Sequence, residues 1–248
     1  MTRLRLMNTE IDNLTMDETL DAIDNLIKED NCSYVVTPNV DHIVQLERDE
    51  ELKRVYENAS LILTDGKPLI WISNWYKTPI KEKISGSDLF PRVCDLAAKK
   101  GYTMYLLGAA KGVAAKAANN LMNKYKGLNI VGTYSPPFGF EKDKAELKKI
   151  ESQIQDVHPD ILIVGLGCPK QEKYMYHHCK ELGVPISFGL GASIDFEAGN
   201  IKRAPKWMSE HGLEWLYRIT QDPKRLAKRY LVDDMKIIGI ARKYRRGA

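Results

Sequence analysis

The stretch 61–68, LILTDGKP, decides how this chain folds. Its apolar residues 61–63 predict a short buried strand, and Asp65 and Gly66 follow at the carboxyl end of that strand. Ligands of open α/β sheets bind at this edge. Asp65 can therefore serve as a base, a metal ligand or an acceptor for a sugar hydroxyl. It can equally cap the helix that follows, since Asp is a preferred N-cap residue.

Short apolar runs and amphipathic segments alternate on both sides of this stretch. The predicted strands are 4–11 (a strand or hairpin), 34–36, 61–63, 103–107, 129–132, 160–164 and 184–188. The predicted helices include 15–30, 42–56, 67–76, 88–100, 143–156 and 205–218. Strands and helices that alternate with short links indicate an α/β fold, in which a mainly parallel, Rossmann-like sheet carries helices on both faces.

Length and composition are those of an ordinary globular protein. The 248 residues are 44% hydrophobic and 28% charged, enough for one large domain or two small ones. No apolar run approaches the roughly 18 residues that span a bilayer. The first residues, MTRLRLMNTEIDN, lack the apolar core of a secretion signal, so we expect a cytoplasmic protein. The four cysteines form no CxxC pair and are expected to be reduced thiols.

Charge divides the chain into an α/β body, 1–199, and a basic helical C-terminal appendage, 200–248. From Lys202 onward there are 13 Lys or Arg against 5 Asp or Glu, whereas the rest holds 24 against 28. The appendage mixes apolar residues with a cationic cluster that comprises Arg218, Arg225, Lys228 and Arg229. This mixture is typical of a helix lying in a membrane interface, although a helix packed on the body with a solvated basic face is the alternative.

Two further consequences follow from the appendage. No nucleic-acid-binding motif accompanies its charge, so nucleic acid is not an expected partner. Its apolar positions could also pair with a second subunit when no membrane is present, which makes a homo-oligomer an additional expectation. A non-catalytic membrane-binding module, with Asp65 only a helix cap, remains an alternative at this point.

Small and polar residues recur where the predicted strands end. Thr37 and Asn39 follow one strand, and Gly108, Gly167 and Gly191 follow three others. In a parallel sheet these ends share one edge, where glycines let a ligand approach backbone N–H groups and helix N-termini favour phosphate. A nucleotide-binding oxidoreductase is the rival interpretation, but the chain has neither its GxGxxG motif nor the P-loop pattern GxxxxGK[ST].

Four side chains near these strand ends could bind a nucleotide-sugar. Lys170 and Lys83 could meet the charge of a diphosphate, Gln171 could turn its amide to the crevice, and Asp195 could hold a ribose or sugar hydroxyl. No HExxH or HxH occurs, and no acidic DxD-like pair follows a predicted strand of the sheet. We therefore expect neither a metal nor a cofactor. His42 is expected to be a helix cap or a core contact.

Seven blocks, in order along nearly the whole chain, resemble the WecG/TagA/CpsF family of bacterial glycosyltransferases. They are VVTPNVDHIV (35–44), LILTDGKPLIW (61–71), ISGSDLF (84–90), YLLGAAKGV (105–113), IVGLGCPKQEK (163–173), FGLGASIDFEAGNIKRAP (188–205) and GLEWLYRITQDPKR (212–225). The resemblance implies an inverting, metal-independent transferase that acts at the inner face of the cell membrane as a peripheral protein.

The resemblance also implies the substrates. The donor would be a UDP-sugar, with N-acetylmannosamine the best-described sugar and glucose or a uronic acid the alternatives. The acceptor would be N-acetylglucosamine linked by diphosphate to undecaprenol, in the synthesis of teichoic acid or another surface polysaccharide.

Residue by residue, the resemblance implies that Asp65 is the general base. It places Thr37 and Asn39 in the polar pocket beside this base, and Gln171 and Asp195 on the nucleotide-sugar side. Arg218 and Arg225 match arginines of a C-terminal segment that closes over the site. Lys83 and Lys228 stand where relatives have arginine, which retains the charge but puts bidentate phosphate recognition in doubt.

Overall fold

Eight strands form the framework of the protein, and the computed structural model describes residues 3–246. The side chains of Lys206, Glu210, Arg225 and Arg246 lie outside the described part. The strands are β1 Arg3–Leu6, β2 Thr9–Asp12, β3 Ser33–Val36, β4 Leu61–Ile62, β5 Thr103–Gly108, β6 Asn129–Tyr134, β7 Ile161–Gly165 and β8 Ile186–Gly189.

Helices fill the connections between the strands. They are α1 Met16–Glu29, α2 Val40–Leu46, α3 Glu50–Glu57, α4 Lys67–Trp75, α5 Gly86–Lys100, α6 Val113–Lys124, α7 Lys144–Gln155, α8 Lys170–Leu182, α9 Ser193–Glu197, α10 Lys206–Glu210, α11 Glu214–Gln221, α12 Pro223–Lys228 and α13 Ile237–Arg246. A π turn and a short 3₁₀ turn join the last two, over Arg229–Asp233 and Asp234–Lys236.

The strands β3 to β8 form one parallel sheet in the order β4-β3-β8-β7-β5-β6. The strands β1 and β2 form a separate antiparallel hairpin. Successive side chains of each strand point to opposite faces of the sheet and pack in two apolar clusters. In β3, for example, Val35 packs in one cluster and its neighbours Tyr34 and Val36 pack in the other. Helices cover both clusters, so the predicted α/β architecture is confirmed.

Helix boundaries show where local sequence was informative. The predicted start of α1 is confirmed, because Thr15 Oγ1 accepts a hydrogen bond from the Glu18 backbone N–H while Glu18 accepts one from the Thr15 backbone N–H. The single helix predicted over 42–56 is wrong. It is two helices, and Asp49 caps the second by accepting from the Leu52 N–H at 2.9 Å.

One further prediction of local structure is wrong near the carboxyl end. The helix predicted over 205–218 is broken between α10 and α11 at Gly212, whose φ of +72° ends helical geometry. The stretch after β8 contains the short helix α9.

The strand order creates a crevice between the adjacent strands β5 and β7. The helix after β5, α6, packs in one apolar cluster, and the helix after β7, α8, packs in the other. The connections that leave β5 and β7 therefore run to opposite faces of the sheet. The point between them is the switch point where open α/β sheets bind ligands. Gly108 ends β5 with φ +118°, and a Cβ there would lie 2.4 Å from the Gly165 carbonyl oxygen, so only glycine fits.

Candidate active site

Asp65 lies just beyond β4, on the same sheet edge as the crevice. Its backbone N–H donates to the Pro38 carbonyl at 2.9 Å, which places it beside the end of β3. Helix α4 starts immediately after, but its N-cap is Gly66 and no side chain caps it. The alternative that Asp65 is the cap of this helix is therefore wrong, and its carboxylate is left for another role.

The surroundings of Asp65 raise the pKa of its carboxyl to about 6. Burial is the main cause, and the negative charge of Glu214 adds to it. Lys83, Arg218 and His42 act in the opposite direction and limit the rise. A carboxylate with this pKa is still mostly ionised at neutral pH and is a stronger base than an exposed aspartate.

The end of β3 supplies the polar residues next to Asp65. Thr37 is buried there, and Asn39 caps α2 by accepting from the Asp41 N–H at 3.1 Å. The same Asn39 oxygen lies 2.8 Å from His42 Nδ1. The hydrogen bond between Asp65 and Pro38 thus places the backbone that carries Thr37 and Asn39 next to Asp65, and their role in a substrate pocket stays a prediction.

A buried polar chain continues from His42 under the neighbouring strand ends. His42 Nε2 lies 3.2 Å from Glu172 Oε1, which also accepts from Gln171 Nε2 at 2.8 Å. Gln171 Oε1 in turn accepts from the Gly191 N–H at 3.1 Å. Both polar atoms of Gln171 are therefore occupied, so its amide supports the glycine turn after β8.

These contacts hold the ionisable side chains of His42 and Glu172 away from water. Burial acts to lower the pKa of His42, but the Cys168 sulfur and the Glu172 carboxylate outweigh it and hold the pKa well above 6.5. Sequence reasoning treated His42 as a cap or core residue and did not consider Glu172. The only local signal was the QE pair at the start of α8.

Lys83 supplies a positive charge that lowers the pKa of Asp65. Its ammonium contacts Asp88 Oδ2 at 2.7 Å and Ser85 Oγ at 3.3 Å, and its side chain is only 16% exposed. Arg203 binds the other Asp88 oxygen at 2.5 Å. Asp88 is half-buried, and although burial acts to raise its pKa, hydrogen bonds from Lys83, Ser85 and Arg203 lower it to about 2. Lys83 is thus a fixed cation near Asp65, not a mobile surface lysine.

A cleft of about 1000 Å³ opens at the switch point. Its lining comes from the loops after β5, β6 and β7, including Lys170, whose ammonium lies 2.7 Å from Glu141 and 4.8 Å from the centre of the Phe138 ring. Gly108 precedes lining residue Ala109, and Gly167 lies between two other lining residues. The volume is at the upper end of the range for small-molecule sites, about 300–1,000 Å³.

The remaining predicted residues lie further along the edge. Gly191 is in the turn after β8, next to Gln171, and Asp195 is in the first turn of α9, half-buried. Asp195 also supports the chain that leaves α9, since its carbonyl accepts from the N–H groups of Asn200 and Ile201.

The appendage brings two of its four predicted cations to this site. Arg218 acts electrostatically on Asp65, and its guanidinium lies 5.8 Å from the centre of the Phe196 ring. Arg229 donates to Asn39 Oδ1 at 3.3 Å. Lys228 is exposed at the end of α12. The fourth residue, Arg225, is in the same helix, but its side chain lies outside the described residues.

The parallel sheet with helices on both faces is the fold that the sequence predicted, and comparison with known proteins decides the family. The profile of the glycosyl transferase WecG/TagA/CpsF family matches residues 4–248. This chain belongs to the WecG/TagA/CpsF family. It is therefore a glycosyltransferase, and the oxidoreductase and non-catalytic alternatives are wrong.

Named relatives within this family share one activity. A protein of Bacillus subtilis strain 168 is 33% identical over 178 residues, which cover 72% of this chain and 67% of the relative. One of Bacillus spizizenii is 32% identical over 193 residues, 78% of this chain and 73% of the relative. One of Staphylococcus aureus strain MRSA252 is 27% identical over 228 residues, 91% and 87%. Each is named N-acetylglucosaminyldiphosphoundecaprenol N-acetyl-beta-D-mannosaminyltransferase.

The outer surface of this family member carries a run of exposed apolar side chains. Those on α4 and the appendage are Trp71, Trp75, Trp207, Leu216, Leu231, Val232, Met235 and Ile238. Over residues 3–246, no helix is long and apolar enough to cross a bilayer. The appendage is joined to the body by the Tyr76 hydroxyl, which donates to the Ala241 carbonyl, and by an ion pair between Lys243 and Glu47 at 2.7 Å.

Proposed function

We propose that this glycosyltransferase is inverting and metal-independent, and moves N-acetylmannosamine from a UDP-sugar to N-acetylglucosamine on undecaprenyl diphosphate. The activity for which three relatives are named supports the acceptor and the sugar. The observation that carries the mechanism is the Asp65 carboxyl, whose pKa is raised to about 6, beside Lys83 and Arg218. The product would enter teichoic acid or another surface polymer.

Asp65 is the general base in this proposal. Its carboxylate takes the proton of the acceptor hydroxyl as that oxygen attacks the anomeric carbon of the donor. The bond from this carbon to the diphosphate breaks on the opposite face, and UDP leaves with the electron pair. A positioned base of this kind contributes about 10²–10⁴-fold.

Fixed cations meet the charge that develops on the departing diphosphate. Lys83 is held by Asp88, and Arg218 approaches from α11, so neither needs to reorganise during the reaction. The cleft at the switch point takes the uridine end of the donor. About four strand spacings of roughly 4.8 Å separate β4 from β5, which leaves room for the diphosphate and sugar along the edge.

The exposed apolar side chains of α4 and the appendage would lie in the membrane interface. Leu231, Met235 and Ile238 are exposed and lie within eight residues of one another, over the π turn, the 3₁₀ turn and the start of α13. Lysines and arginines of the same segment each add about 1 kcal/mol near an anionic surface. This arrangement makes the chain a peripheral protein of the cytoplasmic face of the membrane. Association of these side chains with another subunit off the membrane stays a prediction.

The test is turnover on a lipid-diphosphate-N-acetylglucosamine acceptor with EDTA present. Release of UDP is followed with a panel of UDP-sugars that includes N-acetylmannosamine, glucose and a glucuronic acid. We expect turnover with the first donor and an inverted anomeric product by NMR. Preference for another donor would replace the sugar in the proposal, and no turnover with any donor would overturn it.

A further inference from the structure

Three potential metal ligands meet under the sheet edge, between β3 and α8. They are His42, Cys168 and Glu172, and their donor atoms all lie within 4.8 Å of one another. His42 and Glu172 are 5% and 1% exposed, whereas Cys168 is half-buried and lines the large cleft. An imidazole, a thiol and a carboxylate together form the nitrogen, sulfur and oxygen donor set that Zn²⁺ takes in proteins.

The spacing of the donors suits a small tetrahedral ion. With bonds of about 2.0–2.3 Å, a tetrahedral Zn²⁺ site separates its donors by roughly 3.3–3.8 Å. His42 Nε2 and Glu172 Oε1 are already 3.2 Å apart. No two donor atoms are more than 4.8 Å apart, so rotation of the half-buried Cys168 side chain would bring its sulfur to the distance from the other two donors that the ion requires.

Amide groups hold two of these ligands in orientations that suit coordination. Asn39 Oδ1 lies 2.8 Å from His42 Nδ1, closer than the Asn39 backbone nitrogen at 3.3 Å, and the tautomer in which Nδ1 donates to this oxygen leaves Nε2 for a metal. The amide of Gln45 donates to Cys168 Sγ at 3.3 Å, which orients the sulfur. Metal-bound histidines almost always have such a partner on the second nitrogen.

The third ligand has a partner on one oxygen and none on the other. Gln171 donates to Glu172 Oε1, but Glu172 Oε2 is buried and has no hydrogen-bond partner within the described part of the chain. A buried carboxylate oxygen without a partner carries a desolvation cost of about 1–3 kcal/mol or more. A cation bound at this cluster would remove that cost.

We propose that His42 Nε2, Cys168 Sγ and the Glu172 carboxylate bind one Zn²⁺-class ion per chain, with the fourth coordination position facing the cleft. The sulfur and imidazole donors favour Zn²⁺ or Co²⁺ over Mg²⁺ and Ca²⁺, which prefer oxygen ligands. Binding displaces the thiol proton of Cys168 and the proton between His42 and Glu172. The site is distinct from the metal-independent transfer proposed above, and does not depend on it.

Cobalt binding tests this site without any sugar substrate. The full chain without a histidine tag is stripped with EDTA, dialysed and titrated with Co²⁺ under reducing conditions. We expect a thiolate-to-cobalt charge-transfer band and tetrahedral d–d bands that saturate at one ion per chain. Zn²⁺ should abolish these bands, and Mg²⁺ should not. Absence of a charge-transfer band would overturn the proposal.

Two variants and one matched control locate the ion. Cys168→Ala should lose the charge-transfer band, while Cys32→Ala, which removes another half-buried free thiol, should keep it. Glu172→Gln should weaken Co²⁺ binding at least tenfold, because it replaces the carboxylate with a poor ligand of the same shape. Thermal melting confirms that each variant is folded. A band that persists unchanged in Cys168→Ala would place the ion elsewhere and refute the assignment.

Discussion

Arg229 donates a hydrogen bond to Asn39 Oδ1 at 3.3 Å and lies 3.4 Å from Asp41 Oδ2. These contacts join the appendage to the end of β3, one strand away from Asp65. Arg229 also lies 3.9 Å from Asp234, a buried acid whose pKa burial raises to about 6 despite this arginine. One guanidinium therefore holds together two carboxylates and a residue of the candidate site.

Arg229→Ala should reduce kcat/KM at least tenfold, because it frees Asn39 and leaves Asp41 and Asp234 without their shared cation. Lys236→Ala is the matched control, since it removes an exposed cation of the same segment that contacts only Asp233 among the described ion pairs. Initial rates of UDP release measure both variants. Equal rates for the two would contradict a role of Arg229 at the site.

Asp65→Asn should lower kcat by about 10²–10⁴-fold, the usual contribution of a positioned base. The folded-state pKa of Asp65 is raised above its unfolded value, so the ionised form destabilises the fold above pH 6 and this cost disappears as pH falls below 4. The variant should therefore melt at the same or a higher temperature at pH 7.5. Asp156→Asn, at an exposed helix end, is the control. A variant that keeps full turnover would remove Asp65 from the mechanism.

The pH dependence of kcat/KM should report the ionisation of Asp65. Below a pKa of about 6 the base becomes protonated, and the rate should fall about tenfold per pH unit. Lys83→Met removes a charge that lowers this pKa, so the acidic limb should move to higher pH. Lys81→Met, whose exposed ammonium pairs with Glu18, should leave it in place. A limb that stays fixed in the Lys83 variant would disprove their coupling.

Gly108→Ala should close the crevice at the switch point. The new Cβ would lie 2.4 Å from the Gly165 carbonyl oxygen, so the two strand ends must separate, at a cost of about 1–3 kcal/mol. Gly112→Ala is a strict control: φ is +82°, also positive, but no atom lies within 4 Å of its Cβ. We expect a melting temperature several degrees lower for the first variant, and a raised KM for the donor. Similar melting temperatures and KM values for the two variants would show that the positive φ alone, and not the contact with Gly165, is responsible.

Replacing Leu231 and Met235 together by serine should weaken binding to anionic vesicles at least tenfold, because each buried apolar side chain contributes about 1.5–3 kcal/mol. These side chains are 59% and 54% exposed, so the fold should be unaffected. Met122→Ser, which alters an exposed methionine on the body, should bind like the unmodified chain. Vesicle co-sedimentation distinguishes these results, and unchanged binding by the double variant would exclude these side chains as the membrane contact.

Local sequence was sufficient to predict most elements of the body. A capping box such as Thr15 to Glu18 and a short apolar run such as 61–63 depend on neighbours within a few residues, so their structure follows from local preferences. Breaks inside apparently continuous helical patterns were missed at Asp49 and Gly212. The break at Asp49 depends on one hydrogen bond, which the Leu52 N–H donates to the Asp49 side chain. The same residues are equally compatible with a single unbroken helix, so their local sequence does not predict the break.

The sequence by itself determined the alternation of strands and helices, the polar strand ends and the basic appendage, because periodicity and composition are properties of neighbouring residues. Only the tertiary structure decided the strand order, and with it the crevice between β5 and β7. It also brought His42 to Glu172, 130 residues away, and Arg229 to Asn39, 190 residues away. Contacts at such separations depend on the order in which the strands pair in the sheet, which no local pattern encodes. The strand end singled out Asp65 as either a functional residue or a helix cap, but its pKa of about 6 depends on burial and on four charged residues from three other segments.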